Sequence, residues 1–165
     1  MTASLEPIVT VVAVDERGLD ERPDDEPVDL DRWRALAEAV LVGEHVTGPA
    51  ELTLAFVGEA AIAELNAAHL QEAGPTDVLS FPLDAEPDPV SGPGVLRLLG
   101  DVLICPAVAG RNAVPPGGYE GELALLVVHG VLHILGMDHA GAEDAEAMVA
   151  RERHHLAGVG LERRP

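Results

Sequence analysis

Residues 123–139, LALLVVHGVLHILGMDH, combine an unbroken apolar run with three regularly spaced histidines, and they decide how the rest of the chain is interpreted. The apolar run predicts a buried helix. On that helix His129 and His133 lie one turn apart on the same face, so their rings can point to one place. Gly136 has no Cβ and can adopt the left-handed conformation that ends a helix. The chain can then turn back and bring His139 to the same place.

Three converging imidazoles indicate a metal site rather than three unrelated core residues. A single histidine on an apolar helix is usually a buried side chain whose ring is hydrogen-bonded. Three in a desolvated setting would each need a polar partner, and one shared metal ion supplies it. Three protein nitrogens with an open fourth position are typical of catalytic zinc sites. We therefore predict one zinc ion held by His129, His133 and His139, although nickel, copper and iron also accept imidazole.

The residue after the first histidine argues against a common class of zinc peptidase. Peptidases with the pattern HExxHxxGxxH carry a glutamate there, and it serves as the general base. Here that position is Gly130, which cannot accept or deliver a proton. The spacing of the metal site is therefore retained without the peptidase base.

Several motifs in the same order along the chain resemble one family, the bacterial YbeY-type endoribonucleases, which are rRNA maturation factors. Segment 129–139 is similar to the family's HGxLHLxGxDH signature, and Glu122 precedes it as in the family's EL…HG pattern. Upstream, Leu65 and Asn66 followed by PTDVLSFP at 75–82 resemble the LN…PTDVLSFP block. GDVLICP at 100–106 is similar to the family's GDIxI-P strand. The similarity extends over about residues 51–158.

The resemblance implies a function and a set of partners. It implies a zinc-dependent, single-strand-specific endoribonuclease, a hydrolase of phosphodiester bonds, that acts in 16S rRNA 3′-end maturation and in ribosome quality control. It also implies that the metal ligands are His129, His133 and His139. The expected partners are rRNA and the small ribosomal subunit, rather than DNA or a membrane. Many members carry an Arg and a Lys where this chain reads HLQEA at 69–73, and His69 and Arg111 are possible substitutes for holding phosphate.

The general base is not identified by the sequence. Asp138 adjoins a predicted ligand, where it could act in catalysis or orient an imidazole. Asp77 and Ser80 lie in the PTDVLSFP block and could line the cleft, or could serve only the local strand and turn. A metal held by three imidazoles can polarise a phosphoryl oxygen or activate water. Whether water or the RNA 2′-OH attacks stays open.

Composition limits the partners and the compartment. The formal net charge is −19, whereas nucleic-acid proteins normally present a basic surface. The acidity favours delivery to RNA by the ribosome or by a partner protein.

The single Cys105 lies in an apolar strand and predicts a small buried side chain, which is consistent with a reducing compartment. We find no signal-peptide pattern and no apolar run of membrane-spanning length, so we expect a cytoplasmic protein.

The chain of 165 residues predicts one α+β domain over 1–165, with a small mixed sheet of about four strands packed by about five helices. The metal site would lie on the helix-turn 121–139. Strands are expected at 8–14, 52–57 (half-buried), 78–81 and 102–104. Helices are expected from Asp29 or Asp31 to 42, at 60–70 with Ile62, Leu65 and Leu70 inward, and at 106–112, 119–135 and 142–157. An acidic loop within 15–31, of which residues 18–27 are expected to pack little, and a Pro-rich loop at 84–94 complete the domain.

Two further expectations concern the helix 142–157 and the competing functions. His154 and His155 are expected at a solvated helix end, facing different directions, so a second metal site is not predicted there. Two alternatives to the nuclease stay open: a ribosome-biogenesis binding factor with a mainly structural metal, and a metallohydrolase of another class, such as an amidase or peptidase that uses a distant Glu.

Overall fold

The apolar runs around 52–57 and 102–105 form the middle of a β-sheet. The computed structural model describes residues 8–83 and 95–165. Within them lie four strands, five α-helices and one 3₁₀ turn at Leu19–Glu21. The elements in chain order are β1 Val9–Asp15, α1 Leu30–Gly43, β2 Ala50–Phe56, α2 Glu59–Leu70, β3 Val78–Pro82, β4 Arg97–Ile104, α3 Pro106–Asn112, α4 Gly118–Ile134 and α5 Ala142–Ala157.

The sheet is mixed, with the strand order β1-β2-β4-β3. β1, β2 and β4 are parallel, and β3 pairs antiparallel with β4 at one edge. The predicted α+β class and the approximate numbers of strands and helices are confirmed. β2 was expected to be half-buried, but most of it is buried because it is paired on both sides and covered by helices. The predicted Pro-rich loop 84–94 lies outside the described residues.

One face of the sheet holds the main core, and α4 is its most buried helix. Successive strand residues point to opposite faces, so Leu52, Leu54 and Phe56 of β2 point together towards α1 and α4. Every α4 residue from Glu122 to Val128 is buried, as the apolar run predicted. The metal-site helix is therefore held by the core along most of its length.

The opposite face is covered less completely, by α2 and α3. Ile62 of α2 and Val108 of α3 pack there with Leu79 of β3. Leu65 is partly buried in the same cluster, as predicted, but Leu70 was wrongly expected to point inward. It is 56% exposed, because α2 ends at Leu70 and the chain leaves in a left-handed conformation at Gln71.

The end of α1 is tied to α5 by a partly buried polar cluster around Glu44. Arg151 donates two hydrogen bonds to the Glu44 carboxylate, at 2.8 and 3.1 Å, and the His155 Nε2 lies 3.2 Å from Glu44 Oε1. The prediction that His155 sits at a solvated helix end is wrong. Its ring is buried because α5 packs on α1, and Gly43 leaves room for it.

Glu44 should make folding stability depend on acid pH. Burial alone would raise the Glu44 pKa, but the Arg151 and His155 hydrogen bonds outweigh it and hold the pKa below its usual range. The stability contributed by a carboxylate with a lowered pKa is present at neutral pH and is lost as the pH falls below about 5. We expect Glu44→Gln to lower the free energy of unfolding by about 1 kcal/mol at pH 7 and to flatten its fall below about pH 5.

Chemical denaturation from pH 7 to acid measures this prediction, with Glu64→Gln as a control because Glu64 is an exposed carboxylate on α2. If the free energy of unfolding of Glu44→Gln falls at acid pH as steeply as that of wild type, groups other than Glu44 control this fall.

The acidic loop is exposed along almost all of residues 18–27, as expected, but its ends are anchored by hydrogen bonds. Arg17 is 5% exposed, and it donates hydrogen bonds to the Asp15 carboxylate and to the Glu26 carbonyl at 3.1 Å. Tyr119 of α4 donates from its hydroxyl to the Pro27 carbonyl at 3.0 Å. The expectation of little packing holds for residues 18–27, and Arg17 and Tyr119 attach this exposed loop to the fold at its ends.

No helix in the described part of the chain is both long and apolar enough to cross a membrane.

Candidate metal centre

The turn after α4 brings the third histidine back towards the first two. The Met137 amide donates to the Leu132 carbonyl at 3.1 Å, and the Gly136 amide donates to the His133 carbonyl at 3.0 Å. This pair of bonds is the Schellman pattern that ends many helices. Gly136 has a φ of 93°, where a side chain would be strained. The predicted role of Gly136 is confirmed, and it aims the following residues back at the helix end.

The three predicted imidazoles meet at one point. One nitrogen from each ring of His129, His133 and His139 lies within 4.8 Å of the others, and the three could hold a metal ion. The Nε2 atoms of His129 and His133 are 3.0 Å apart. Two ligands of a tetrahedral zinc with Zn–N bonds of about 2.0–2.1 Å are about 3.3 Å apart, so these two rings need to move little. The donor set fits a metal that prefers nitrogen ligands.

The site is half open to solvent. His129 and His133 are partly buried, whereas His139 is exposed. Burial lowers the His133 pKa, and the neighbouring His129 and His139 lower it further. A neutral imidazole is the form that binds a metal, so His133 is ready to bind around neutral pH.

A buried carboxylate stands behind the first histidine. His129 donates from Nδ1 to Glu152 Oε1 at 2.6 Å, and Glu152 is 1% exposed. The Arg163 Nε donates to the other carboxylate oxygen, Oε2. Burial alone would raise the Glu152 pKa, but the hydrogen bonds from His129 and Arg163 outweigh it and lower that pKa. Glu152 is therefore an ionised acceptor at neutral pH.

Sequence reasoning missed Glu152 and Arg163. A signal for Glu152 is present in the helix pattern: on α5 it shares the inward face with Met148, His155 and Leu156, and a charge on such a face needs a partner. Arg163 gives no such signal, because its contact depends on how the chain folds back after α5.

Gly130 is explained by the packing of α4 on the sheet. A Cβ at this position would lie 2.5 Å from Val102 Cγ1 of β4, so the residue faces the sheet and has no room for a side chain. Ser80 of β3 donates from its hydroxyl to the Gly130 carbonyl at 3.0 Å. Ser80 therefore ties β3 to the metal-site helix, between the two helical histidines.

The two aspartates proposed as catalytic candidates lie in different settings. Asp138 is exposed, and its Oδ1 accepts from the His139 amide at 2.7 Å, which fixes the turn that carries His139. The Asp77 carboxylate lies 3.5 Å from the Thr76 hydroxyl, and the Asp77 carbonyl accepts from the Cys105 amide at 2.9 Å. A catalytic role for either aspartate stays a prediction.

The two candidates for holding phosphate are engaged elsewhere. His69 packs edge-on against Phe81 with the ring centres 5.0 Å apart. Phe81 belongs to the cluster on the sheet face opposite α4, so His69 lies away from the face that carries the triad. Arg111 forms an ion pair with Glu59 of α2. Cys105 is buried, as predicted.

Fold and site together define a class: a small α+β protein whose three-histidine cluster, on one helix and the turn that follows it, could hold a metal ion. The family model described as Endoribonuclease YbeY matches residues 19–160. The chain therefore belongs to the YbeY endoribonuclease family, as the sequence motifs indicated.

Named relatives support the assignment over most of the chain. The Endoribonuclease YbeY of Beutenbergia cavernae is 44% identical over 143 residues, which cover 82% of this chain and 93% of that protein. The one from Acidothermus cellulolyticus is 40% identical over 165 residues, 94% of each. Among solved structures, the solution structure of TM1509 from Thermotoga maritima shares the fold, with a TM-score of 0.52, 23% identity, and coverage of 92% of this chain and 91% of that one.

Proposed function

We propose that this protein is a zinc-dependent endoribonuclease that cleaves single-stranded RNA, and that it acts in 16S rRNA 3′-end maturation and ribosome quality control. The observation that carries the proposal is the convergence of His129, His133 and His139 in a chain of the YbeY family. The relatives' name, Endoribonuclease YbeY, supplies the reaction class.

A bound zinc ion would supply Lewis-acid stabilisation of the charge that develops on the phosphate during cleavage. The chain's own residues supply the rest of what the site needs. His129 and His133 provide ligands from a rigid, core-packed helix, and His139 provides one from an exposed turn. The exposed side of the site is where RNA would enter, since the opposite side is closed by Glu152 and α5.

Two observations favour this proposal over a peptidase-like hydrolase. The position that holds the base in HExxH enzymes is Gly130 here, and it faces Val102 rather than the site. Glu152 contacts the triad, but both of its oxygens already accept hydrogen bonds, from His129 and Arg163. That carboxylate is also only 1% exposed and lies behind His129, so it is not placed to take a proton from a water molecule on the open side of the site.

The proposed substrate must be reconciled with a net charge of −19. Three neutral imidazole ligands would not offset the double positive charge of a bound zinc ion. That charge would provide a local site for phosphate. Beyond that site the acidic surface repels RNA. We therefore propose that the small ribosomal subunit or a partner protein delivers the substrate.

The experiment compares four substrates under identical conditions: single-stranded RNA, the same RNA in a duplex, DNA of the same sequence, and casein. We expect zinc-loaded protein to cleave only the single-stranded RNA, to lose this activity with a chelator, and to regain it with added zinc. We also expect a 16S 3′ extension to be cleaved faster on small subunits than as free RNA. Cleavage of casein without cleavage of RNA would contradict the proposal, and binding to subunits without any cleavage would indicate a binding factor.

A further inference from the structure

The chain after α5 folds back behind the histidine cluster. The Arg163 Nη1 donates to the Arg164 carbonyl at 3.0 Å, and the Arg164 Nε donates to Glu122 Oε2 of α4 at 2.8 Å. The Arg163 Nε, as described above, donates to Glu152. The segment 161–165 is thus attached to α4 and α5 by two ion pairs, and one of them lies directly behind His129.

The Glu152 carboxylate determines which nitrogen of His129 faces the site. An ionised carboxylate can only accept hydrogen bonds, so the 2.6 Å contact requires the His129 proton on Nδ1. The Nε2 of the neutral ring then carries the lone pair, and it points to His133 Nε2 at 3.0 Å. Without Glu152, the ring could rotate or carry its proton on Nε2, and either change removes the ligand.

Arg163 holds Glu152 in that position. A buried carboxylate with one partner would be poorly compensated and free to turn about its side-chain bonds. The second partner fixes both oxygens, one towards His129 and one towards Arg163. Arg163 itself is restrained, because its side chain is 20% exposed and it also binds the Arg164 carbonyl.

We propose that Glu152 and Arg163 are positioning residues for the metal, so that the segment 161–165 sets the metal affinity of a site more than twenty residues away in sequence. This inference rests on the proposed metal site. Carboxylates that orient a ligating histidine typically contribute 10–100-fold to metal affinity. A purely structural role would affect the stability of the metal-free protein and leave the affinity unchanged.

The test measures the zinc dissociation constant by competition with a chromophoric chelator, in the full chain, for wild type, Glu152→Gln, Arg163→Ala and Arg163→Lys. Arg153→Ala is the charge control, because Arg153 neighbours Glu152 in sequence but is exposed. Arg164→Ala removes the other ion pair of the segment without touching Glu152. The ¹⁵N shifts of the His129 ring in the metal-free protein report its tautomer, and thermal unfolding of each metal-free variant reports the fold.

We expect Glu152→Gln to weaken zinc binding by about 10–100-fold and Arg163→Ala by about tenfold, with substantial recovery in Arg163→Lys. Wild-type His129 should show its proton on Nδ1, and Glu152→Gln should show a mixture. Arg153→Ala should bind zinc like wild type, and Arg164→Ala should bind it more tightly than Arg163→Ala. If Glu152→Gln and Arg163→Ala bind zinc as tightly as wild type, the inference is overturned while the metal site stands. If wild type binds no zinc, the proposed function itself fails.

Discussion

Replacing His133 with alanine is expected to remove bound zinc and RNA cleavage together while leaving the fold of the metal-free protein intact. His133 lies between the other two rings, with centre-to-centre distances of 4.5 Å to His129 and 5.2 Å to His139. Loss of this central ligand leaves two rings on different elements, and we expect zinc affinity to fall by more than about 100-fold, the upper range for a supporting residue.

The fold should survive because the core does not depend on this ring. The apolar residues that hold α4 in place are all retained, and the imidazole that is removed is only partly buried. Circular dichroism and thermal unfolding in chelator check the fold, and the chelator competition and RNA assays check the function. His154→Ala, at an exposed histidine on α5, is the matched control and should keep both. Full cleavage by zinc-free His133→Ala would rule out the metal mechanism.

Two glycines of α4 should respond in opposite directions to the same substitution. At Gly130 a new Cβ would lie 2.5 Å from Val102 Cγ1 and 3.4 Å from Val78 Cγ2, inside a close-packed interface of branched residues. Overpacking of this kind costs about 1–3 kcal/mol. At Gly121 a new Cβ would meet nothing within 4 Å, so alanine should gain helix propensity of about 1 kcal/mol. We expect Gly130→Ala to be destabilising by about 2 kcal/mol and Gly121→Ala to be stabilising by about 1 kcal/mol.

Denaturant unfolding of the metal-free proteins measures both free energies. Val102→Ala removes the side chain with which the new Cβ of Gly130→Ala would clash. The free energy of unfolding of the double variant should therefore exceed the value expected from adding the two single changes, by about 1 kcal/mol or more. If the effects of Gly130→Ala and Val102→Ala on the free energy of unfolding are additive, the helix–sheet contact at position 130 is not close-packed. A stabilising Gly130→Ala would contradict the packing account.

The parts of the fold that were predictable are those set by local patterns. The spacing of His129, His133 and His139 with Gly136 placed the cluster on a helix and the turn after it, because helical periodicity and a glycine's backbone freedom act over a few residues. The bounds of α5 were predicted to the residue, with acidic residues in its first turn and basic residues near its end. Asp29 was one of the two expected starting points of α1, and its side chain caps the helix by accepting from the Arg32 amide at 3.1 Å.

Most of the errors and omissions depend on contacts that the local pattern of side chains does not show. His155 is buried where it contacts Glu44, which lies 111 residues earlier in the chain, and no local pattern shows this contact. Arg17 anchors the exposed acidic loop through the backbone carbonyls of Glu21 and Glu26, which no side-chain pattern reveals. Leu70 is apolar, but its helix ends before it reaches the core. The partnership of Arg163 with Glu152 likewise exists only after the chain folds back.

The direct measurement for the central claim is the metal content of untagged, chromatographically separated protein by elemental analysis, with RNA cleavage assayed on the same fractions. We predict one zinc per chain in the fractions that cleave, and cleavage that rises in proportion to zinc occupancy across fractions. Cleavage that is equal in zinc-free and zinc-loaded fractions would contradict the claim that His129, His133 and His139 form a catalytic metal site.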